Sequence, residues 1–415
     1  MKNKKITGLL ALALASGMVL SSCGKSTGNK RSKKTEKEDS EISLTEDSEE
    51  PETTAQTPVT GDVYFEPIDQ CLSDIQKGMV DAPETLENGE PVQIDREAGQ
   101  LGIGNMNNGG FATGDENYQF YVVHPMKYFT AIAMEDWSTK DEYYVYQVTP
   151  DPNAENSLDS LIYTGDSLYF RENSSVVKKI DLATHMVSPI IEGEVHLLTL
   201  YQGKLYYSLD GAIRRSDLDG KNEEVLYASK TSDENVSVSF CISGTQIFYC
   251  DPQERSDDGV YYGKLFSMNL DGSHSSELPI DAKIRNNDAL ICDGEKLYFD
   301  GTALYDDGTE YTGPMSVNLD GSDMFFYEIQ DIDSKFNFLN GKLYIVANNR
   351  FVEMDGLNRS DVVLPDEEPG SVFAYGVTIV GKWFYVMSYN PAFSTEYVTD
   401  RDCPEAWYKV TLDRY

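Results

Sequence analysis

From Phe111 onward the apolar positions fall into short aromatic triplets, each preceded by a glycine turn. The stretch Gly203–Gly220, GKLYYSLDGAIRRSDLDG, displays the unit. Gly203-Lys204 is a tight turn, Leu205–Tyr207 a strand, Asp210-Gly211 a second turn and Ile213–Leu218 a further strand. The same arrangement recurs at Gly165/Leu168–Phe170, Gly244/Ile247–Tyr249, Gly294/Leu297–Phe299, Gly341/Leu343–Ile345 and Gly381/Trp383–Tyr385. A looser first copy is Gly114/Gln119–Tyr121. A polar marker follows each triplet, as in Asp217–Gly220, Asn269–Gly272, Asn318–Gly321 and Met354–Gly356. The turn glycines lie 38 to 51 residues apart, near the period of a four-stranded propeller blade. Seven copies predict an all-β propeller of seven four-stranded antiparallel blades. The strands ahead of the turns (Ser160–Tyr163, Leu197–Tyr201, Val236–Ile242, Asp288–Ile291, Phe336–Leu339) alternate weakly, as expected where neighbouring blades cover both faces. The turns exclude a helical-repeat stack, and a β-sandwich gives no reason for seven similar units.

Upstream, the pattern changes three times. Lys2, Lys4 and Lys5, the apolar run Ile6–Leu20 and the box Leu20-Ser21-Ser22-Cys23 make a signal peptide over residues 1–22. The run is shorter than the ~20 residues that span a bilayer. Residues 23–60 are low in complexity, first basic and then rich in Glu, Ser, Thr and Pro. They predict a disordered tether with a reach of roughly 35 Å. Residues 61–110 form a lead-in, with strands expected at Val63–Phe65 and Val92–Asp95 and a helical turn at Leu72–Lys77. LGIGNMNNGG (Leu101–Gly110) superficially suggests a dinucleotide fingerprint, but its third Gly is misplaced and no apolar helix follows. The propeller is assigned to 111–415. Its last unit has three strands, so the lead-in is expected to close it, through Val92–Asp95 or else Val63–Phe65.

Small residues ahead of Cys23 resemble the lipobox of bacterial lipoproteins. The resemblance implies an acylated Cys23 that holds the chain on the outer side of a bacterial cell membrane. At LYYSLDGAIRRSDLDG, LFSMNLDGS and MSVNLDGS, the chain resembles the YWTD-type propellers of low-density-lipoprotein-receptor-related proteins. More closely, it is similar to bacterial lipoproteins that carry such a propeller as a domain of unknown function. In that family an Asn/Gly-rich lead-in like Gly104–Gly110 precedes the first blade. Here Tyr, Phe and varied residues replace most of the Trp/Asp of the tetrad. The resemblance supplies no activity, and fold alone does not imply one.

The net charge of −36 changes the picture of partners. Residues 1–61 hold nine Lys+Arg and nine Asp+Glu, so the remainder carries the whole imbalance. Such a body repels nucleic acid and anionic head groups, and no nucleic-acid partner is expected. Beyond Cys23, the cysteines are Cys71, Cys241, Cys250, Cys292 and Cys403, without CxxC spacing, so mostly free, buried thiols are expected. A Cys241–Cys250 bond across Gly244-Thr245 is the alternative, disfavoured by their offset.

Candidate chemistry is sparse. The four His residues sit in no HExxH, GxSxG or SxxK context. Calcium is the one cofactor the acids could hold, in Ser256–Asp258. No D-x-D-x-D-G run exists, however, and turn geometry accounts for the Asp-Gly pairs, so none is expected. Long connections between second and third strands are expected at Val123–Glu142, Asp251–Gly259, Gly301–Gly313 and Ser388–Glu405. To them are assigned the candidate ligand residues Tyr128, Trp137, Asp257, Asp258, Tyr305, Asp306, Asp307, Tyr397, Asp400 and Trp407. They should form two walls on one face, one with Trp137 and Trp407, the other with the acids of units four and five. Solvated loop filler is the other reading of the same residues. The function expected is a non-catalytic binding module for an extracellular protein or glycan. Its rival is a polysaccharide hydrolase or lyase using channel carboxylates; a third reading is an envelope assembly factor.

Overall fold

The computed structural model describes residues 66–67, 103–115, 117–126, 129–136, 138–139, 142–148, 157–231, 236–257, 259–287, 289–305, 307–331, 334–339, 341–348, 350–361, 373–380, 383–389 and 405–411. The strands form seven antiparallel units in chain order, a β-propeller. The first blade holds β1 (Glu66–Pro67), β2 (Ala112–Gly114), β3 (Tyr118–Met126), β4 (Phe129–Asp136) and β5 (Glu142–Gln147). The second is β6 (Leu158–Tyr163), β7 (Ser167–Glu172), β8 (Val176–Asp181) and β9 (Met186–Glu192). The third is β10 (Leu198–Tyr201), β11 (Lys204–Leu209), β12 (Ala212–Ser216) and β13 (Glu224–Ala228).

The fourth blade, β14 (Phe240–Ser243), β15 (Gln246–Arg255), β16 (Tyr261–Asn269) and β17 (Ser276–Glu277), is joined to the fifth by β18 (Ala282–Arg285). The fifth is β19 (Ile291–Cys292), β20 (Lys296–Leu304), β21 (Glu310–Asn318) and β22 (Phe325–Phe326). Because β18 pairs with both β16 and β20, these two blades share one nine-stranded sheet. The sixth is β23 (Lys335–Leu339), β24 (Lys342–Ala347), β25 (Arg350–Asp355) and β26 (Asn358–Asp361). The seventh, over the described residues, is β27 (Phe373–Val380), β28 (Trp383–Tyr389) and β29 (Glu405–Thr411).

Turn chemistry sets this register. Leu209 pairs with Ala212, leaving the two-residue loop Asp210-Gly211 with φ of 50° and 69°. Positive φ at both positions is the type I′ geometry whose twist matches the strands it joins, and Asp-Gly adopts it readily. The second marker forms one repeated turn. Asn269 N–H donates to Ser273 O and Gly272 N–H to Asn269 O, and the same pattern runs from Asn318 to Ser322 and from Asp217 to Lys221. In each the Asp side chain accepts the backbone N–H two residues on. The glycine also sets blade spacing: a Cβ on Gly220 would lie 2.0 Å from Ile190 O of the preceding blade.

Apolar seams hold the blades together. Phe120, Val122, Ile132 and Val145 of the first pack against Leu161, Leu168 and Phe170 of the second. Equivalent seams follow between blades two and three, three and four, four and five, and five and six. The ring closes where Tyr121, Val123, Ala131 and Ala133 meet Val380 and Tyr385. Aromatic and aliphatic residues covered on both sides explain the weak alternation of the inner strands, as in β6, where all six residues are buried.

The expected closure of the last blade by the lead-in is not what the described residues show. The described lead-in strand, β1, pairs instead with β5, with Glu66 opposite Tyr144 and Pro67 opposite Tyr143. It covers the outer edge of the first blade, whose backbone groups need a partner just as much. Val63–Phe65, Leu72–Lys77 and Val92–Asp95 lie outside the described residues.

Candidate functional site

The innermost strands of a propeller turn an unpaired edge toward the axis. In this chain, residues 103–111 answer that edge. Asn105 directs its side-chain amide at one peptide: Nδ2 donates to Ile379 O at 2.7 Å, and Oδ1 accepts Ile379 N–H at 2.8 Å. Asn108 Nδ2 donates to Phe336 O at 2.6 Å while its Oδ1 accepts Val377 N–H at 3.1 Å. Asn107 Nδ2 donates to Leu290 O at 2.8 Å. Ser160 and Leu161 donate to Gly109 O and Gly110 O, both at 2.7 Å, and Val122 donates to Phe111 O. Met106 packs with Leu197, Val238 and Phe240 of blades three and four. The segment thus reaches all seven blades, and Asn105, Asn107 and Asn108 are buried. An asparagine amide carries a donor and an acceptor, which is what an edge peptide lacks. Leu101–Gly110, read from sequence as a lead-in, therefore supplies an axial plug through Gly104–Gly110.

In units one, four and five the expected long connections prove to be mostly strand. In blade four β15 and β16 extend to a turn at 256–260, and in blade five β20 and β21 extend to a turn at 305–309. The two turns are alike: Ser256 N–H donates to Val260 O and Gly259 N–H to Ser256 O, with Tyr305, Gly308 and Thr309 matching them. Asp257 and Asp307 occupy these turns, exposed, on neighbouring hairpins stitched together by β18. Hydrogen bonds from Thr309 hold the Asp307 carboxyl below its usual range. The connections of units four and five are therefore extended hairpins closed by tight turns rather than long loops.

Tyr305 departs from its expected role as an exposed ligand aromatic. It is half-buried, with ring centroids 4.8 Å from Phe326 and 5.7 Å from Tyr311. In blade one, β3 and β4 take up most of Val123–Glu142, leaving residues 127–128 between them and 137–141 between β4 and β5. Trp407 is not in a loop. It lies within β29, opposite Met387 of β28. The rest of that expected wall, Trp137 and residues 390–404 of the Ser388–Glu405 connection, lies outside the described residues. Tyr128, Trp137, Asp258, Asp306, Tyr397, Asp400 and the lipidation candidate Cys23 lie outside the described residues.

Sequence reasoning missed the seam between blades five and six. Asp300, 1 % exposed, accepts Ser334 N–H at 2.8 Å and Asn287 Nδ2–H at 3.3 Å through Oδ2, while Oδ1 has no partner. Burial pushes its carboxyl up to about 7, and the nearby Asp331 charge acts in the same direction. Asp331 in turn accepts the Asn348 N–H. Asn348 lines a cleft of about 280 Å³ with Ile329, Ala347, Arg350, Val352 and Arg359. The cleft lies beside the outer half of the β20–β21 hairpin, because Tyr311, opposite Ala303 near the turn, donates its Oη–H to Ile329 O at 3.1 Å. Its only signal in the sequence is a pair of arginines in an acidic chain, nine residues apart, which nothing marks before β25 and β26 are paired.

Cys241, Cys250 and Cys292 are free and buried, as expected. The Asp-Gly acids serve as turn formers: hydrogen bonds from Lys221, Ser273 and Ser322 lower the Asp219, Asp271 and Asp320 carboxyls. Among the described residues, no group of three or more His, Cys, Asp and Glu is placed to hold a metal.

No family model matches the chain, and no curated protein matches it in sequence. Among solved structures it is similar to the β-propeller domain of the Trilobed protease from Pyrococcus furiosus, at 12% identity and a TM-score of 0.44, covering 72% of this chain and 93% of that one. It is similar to an oligogalacturonate lyase in complex with manganese, at 11% identity and a TM-score of 0.41, over 77% and 90% of the two chains. A third is the N-terminal domain of Nup159, at 11% and 0.40, over 72% and 95%. At these values the likenesses say nothing of activity; the seven antiparallel blades of the chain itself make it a β-propeller.

Proposed function

We propose that the chain is a surface-displayed binding module, a lipoprotein with a YWTD-like propeller held on the outer side of a bacterial cell membrane by acylated Cys23. Its partner is an extracellular protein or a glycan. One observation carries the preference for binding over catalysis: the axis is filled by the chain's own asparagines. A hydrolase or lyase of the kind weighed above needs carboxylates set apart in an accessible site, and a plugged axis offers no such room. Asp300, with a carboxyl brought near neutrality, is the point that favours an enzyme. Sealed at 1 % exposure, it does not meet solvent.

The reading is tested by a glycan array and a pull-down with the body, residues 61–415. Saturable binding without turnover of the captured ligand is expected, whereas cleavage of a bound polysaccharide would reverse the assignment. The anchor is tested separately by mass spectrometry of the mature amino terminus, which should show a lipid-modified Cys23. A Cys23→Ala variant that stays equally membrane-bound rules the anchor out.

A further inference from the structure

The cleft between blades five and six is unusual for its charge. The chain has 70 acidic and 34 basic residues, and three of its other described arginines are held in ion pairs. Arg171 pairs with Asp159, Arg214 with Asp210 and Glu223, and Arg215 with Glu224. Arg359 makes no ion pair with any described residue, and it shares the cleft with Arg350 and Asn348 above a floor of Ile329, Ala347 and Val352. The strand register places both arginines on one face. Arg359 stands opposite Met354, and Arg350, Val352 and Met354 alternate onto one face of β25, the face turned toward blade five.

A guanidinium offers five N–H donors in a planar fork and no acceptor, so two of them call for an acceptor-rich, planar anion. About 280 Å³ is at the small end of ligand pockets, room for one compact unit and too little for a helix or strand. Asp331 stands beside Asn348, and its charge, with that of the body, disfavours a dianion relative to a monoanion.

We propose that this cleft binds a carboxylate-bearing ligand the size of one sugar-acid or amino-acid unit, held by Arg350 and Arg359. The proposal rests on the binding-module reading and names a ligand chemistry for it. The carboxylate lies in the fork of the two guanidiniums, and the aliphatic floor takes the ligand's C–H face. Neutral analogues lack the charge that the fork recognises.

The test is saturation-transfer NMR on the full-length chain in detergent with glucuronate, N-acetylalanine and methyl glucoside, together with inorganic phosphate followed by its phosphorus line width and as a competitor of the bound carboxylate. At least one carboxylate should bind, and which one does identifies the source. Arg359→Gln and Arg350→Gln should each weaken it about tenfold, as loss of a charged hydrogen-bonding partner does. Arg359→Lys, which keeps charge without the fork, should fall between. Both arginines are exposed, so an unchanged melting temperature shows that the variants fold. The proposal is overturned if neither carboxylate binds, if the Gln variants bind as well as the parent, or if phosphate or methyl glucoside binds as tightly. Retention of a glycan or protein partner by the Arg350→Gln/Arg359→Gln double variant, with no carboxylate bound by the parent, overturns this site and leaves the binding-module reading standing.

Discussion

Asn337 Nδ2 donates to Asn105 Oδ1 at 2.8 Å, although 232 positions separate the two residues. Asn337 sits on β23, the inner strand of blade six, and also donates to Val377 O of blade seven and accepts Gly104 N–H. Two asparagines thereby tie the plug to the last two blades. Replacing Asn105 by Ala strands the Ile379 peptide and half of the Asn337 amide in a dry interior. Since each buried group left unpaired costs roughly 1–3 kcal/mol, Asn105→Ala should lower stability by about 3 kcal/mol. Asn107, with one hydrogen bond and an Oδ1 that already lacks a partner, should cost about 1 kcal/mol on the same change. Thermal denaturation of the two variants checks the ranking.

Gly104 tests the plug through shape rather than polarity. A Cβ there would lie 2.0 Å from Phe336 O, with further backbone atoms of Phe336 and Asn337 at 2.9 and 3.0 Å. Backbone on a paired strand cannot retreat as a side-chain tip can. Gly104→Ala should therefore displace the segment and speed hydrogen exchange of the Val377 and Ile379 amides, which Asn108 and Asn105 otherwise hold. Exchange at the parental rate would mean that the plug does not depend on this approach.

The contrast between Asp210-Gly211 and Asn105 shows what was legible in the sequence. A type I′ turn is a local demand on two residues, so Asp-Gly flanked by apolar triplets reveals it without tertiary context. The plug is a demand made by strands 51 to 274 positions away, and its polar residues read locally as loop. Tyr305 fails for a related reason: its partners Tyr311 and Phe326 come from two other strands, so its burial is invisible until β20, β21 and β22 pair. The Arg350–Arg359 convergence likewise depends on register, which the alternation of one strand does not set.

Asp300 should make stability depend on pH in a defined direction. Desolvation is the largest cause of its rise from 3.8 to about 7, only partly offset by hydrogen bonds from Ser334 and Asn287. Between those two values the folded chain keeps a proton that the unfolded chain has released. Stability contributed by this group therefore falls as pH rises from 4 toward 7 and levels off above. A difference of that size corresponds to about 4 kcal/mol. Asp300→Asn should remove most of this slope, gaining stability over the parent at pH 8 and little at pH 4.5. Parallel pH profiles in urea unfolding would count against a protonated Asp300.

The thiols should be inert in the native state. Burial pushes the Cys241, Cys250 and Cys292 thiols up, and the reactive species is the thiolate. All three are buried in one apolar seam with Phe248, Leu265 and Leu297. An aromatic disulfide reagent at pH 8 should leave these three unmodified in the folded chain and label them all in denaturant. Peptide mapping distinguishes them from the remaining cysteines. Rapid native labelling of Cys241 or Cys292 would mean that the seam between blades four and five opens.

Tyr305 and Asp307, two positions apart on one hairpin, should respond in opposite ways to truncation. Tyr305 is wedged between Tyr311 and Phe326, whose own rings are 5.0 Å apart, so its ring is part of the packing that keeps the long β20–β21 hairpin folded onto blade five. Removing a half-buried ring forfeits apolar burial and two aromatic contacts, about 2 kcal/mol together. Asp307 is exposed, and its carboxylate only caps the Thr309 amide within the turn. Its replacement by Asn keeps an acceptor for that amide and should cost under about 0.5 kcal/mol. Tyr305→Ala should therefore lower the melting temperature and Asp307→Asn should not. If the hairpin tip contacts a ligand, Asp307→Asn is the variant that weakens capture at unchanged stability. A Tyr305→Ala protein with parental stability would return this ring to the ligand-facing role that its loop-like sequence suggests.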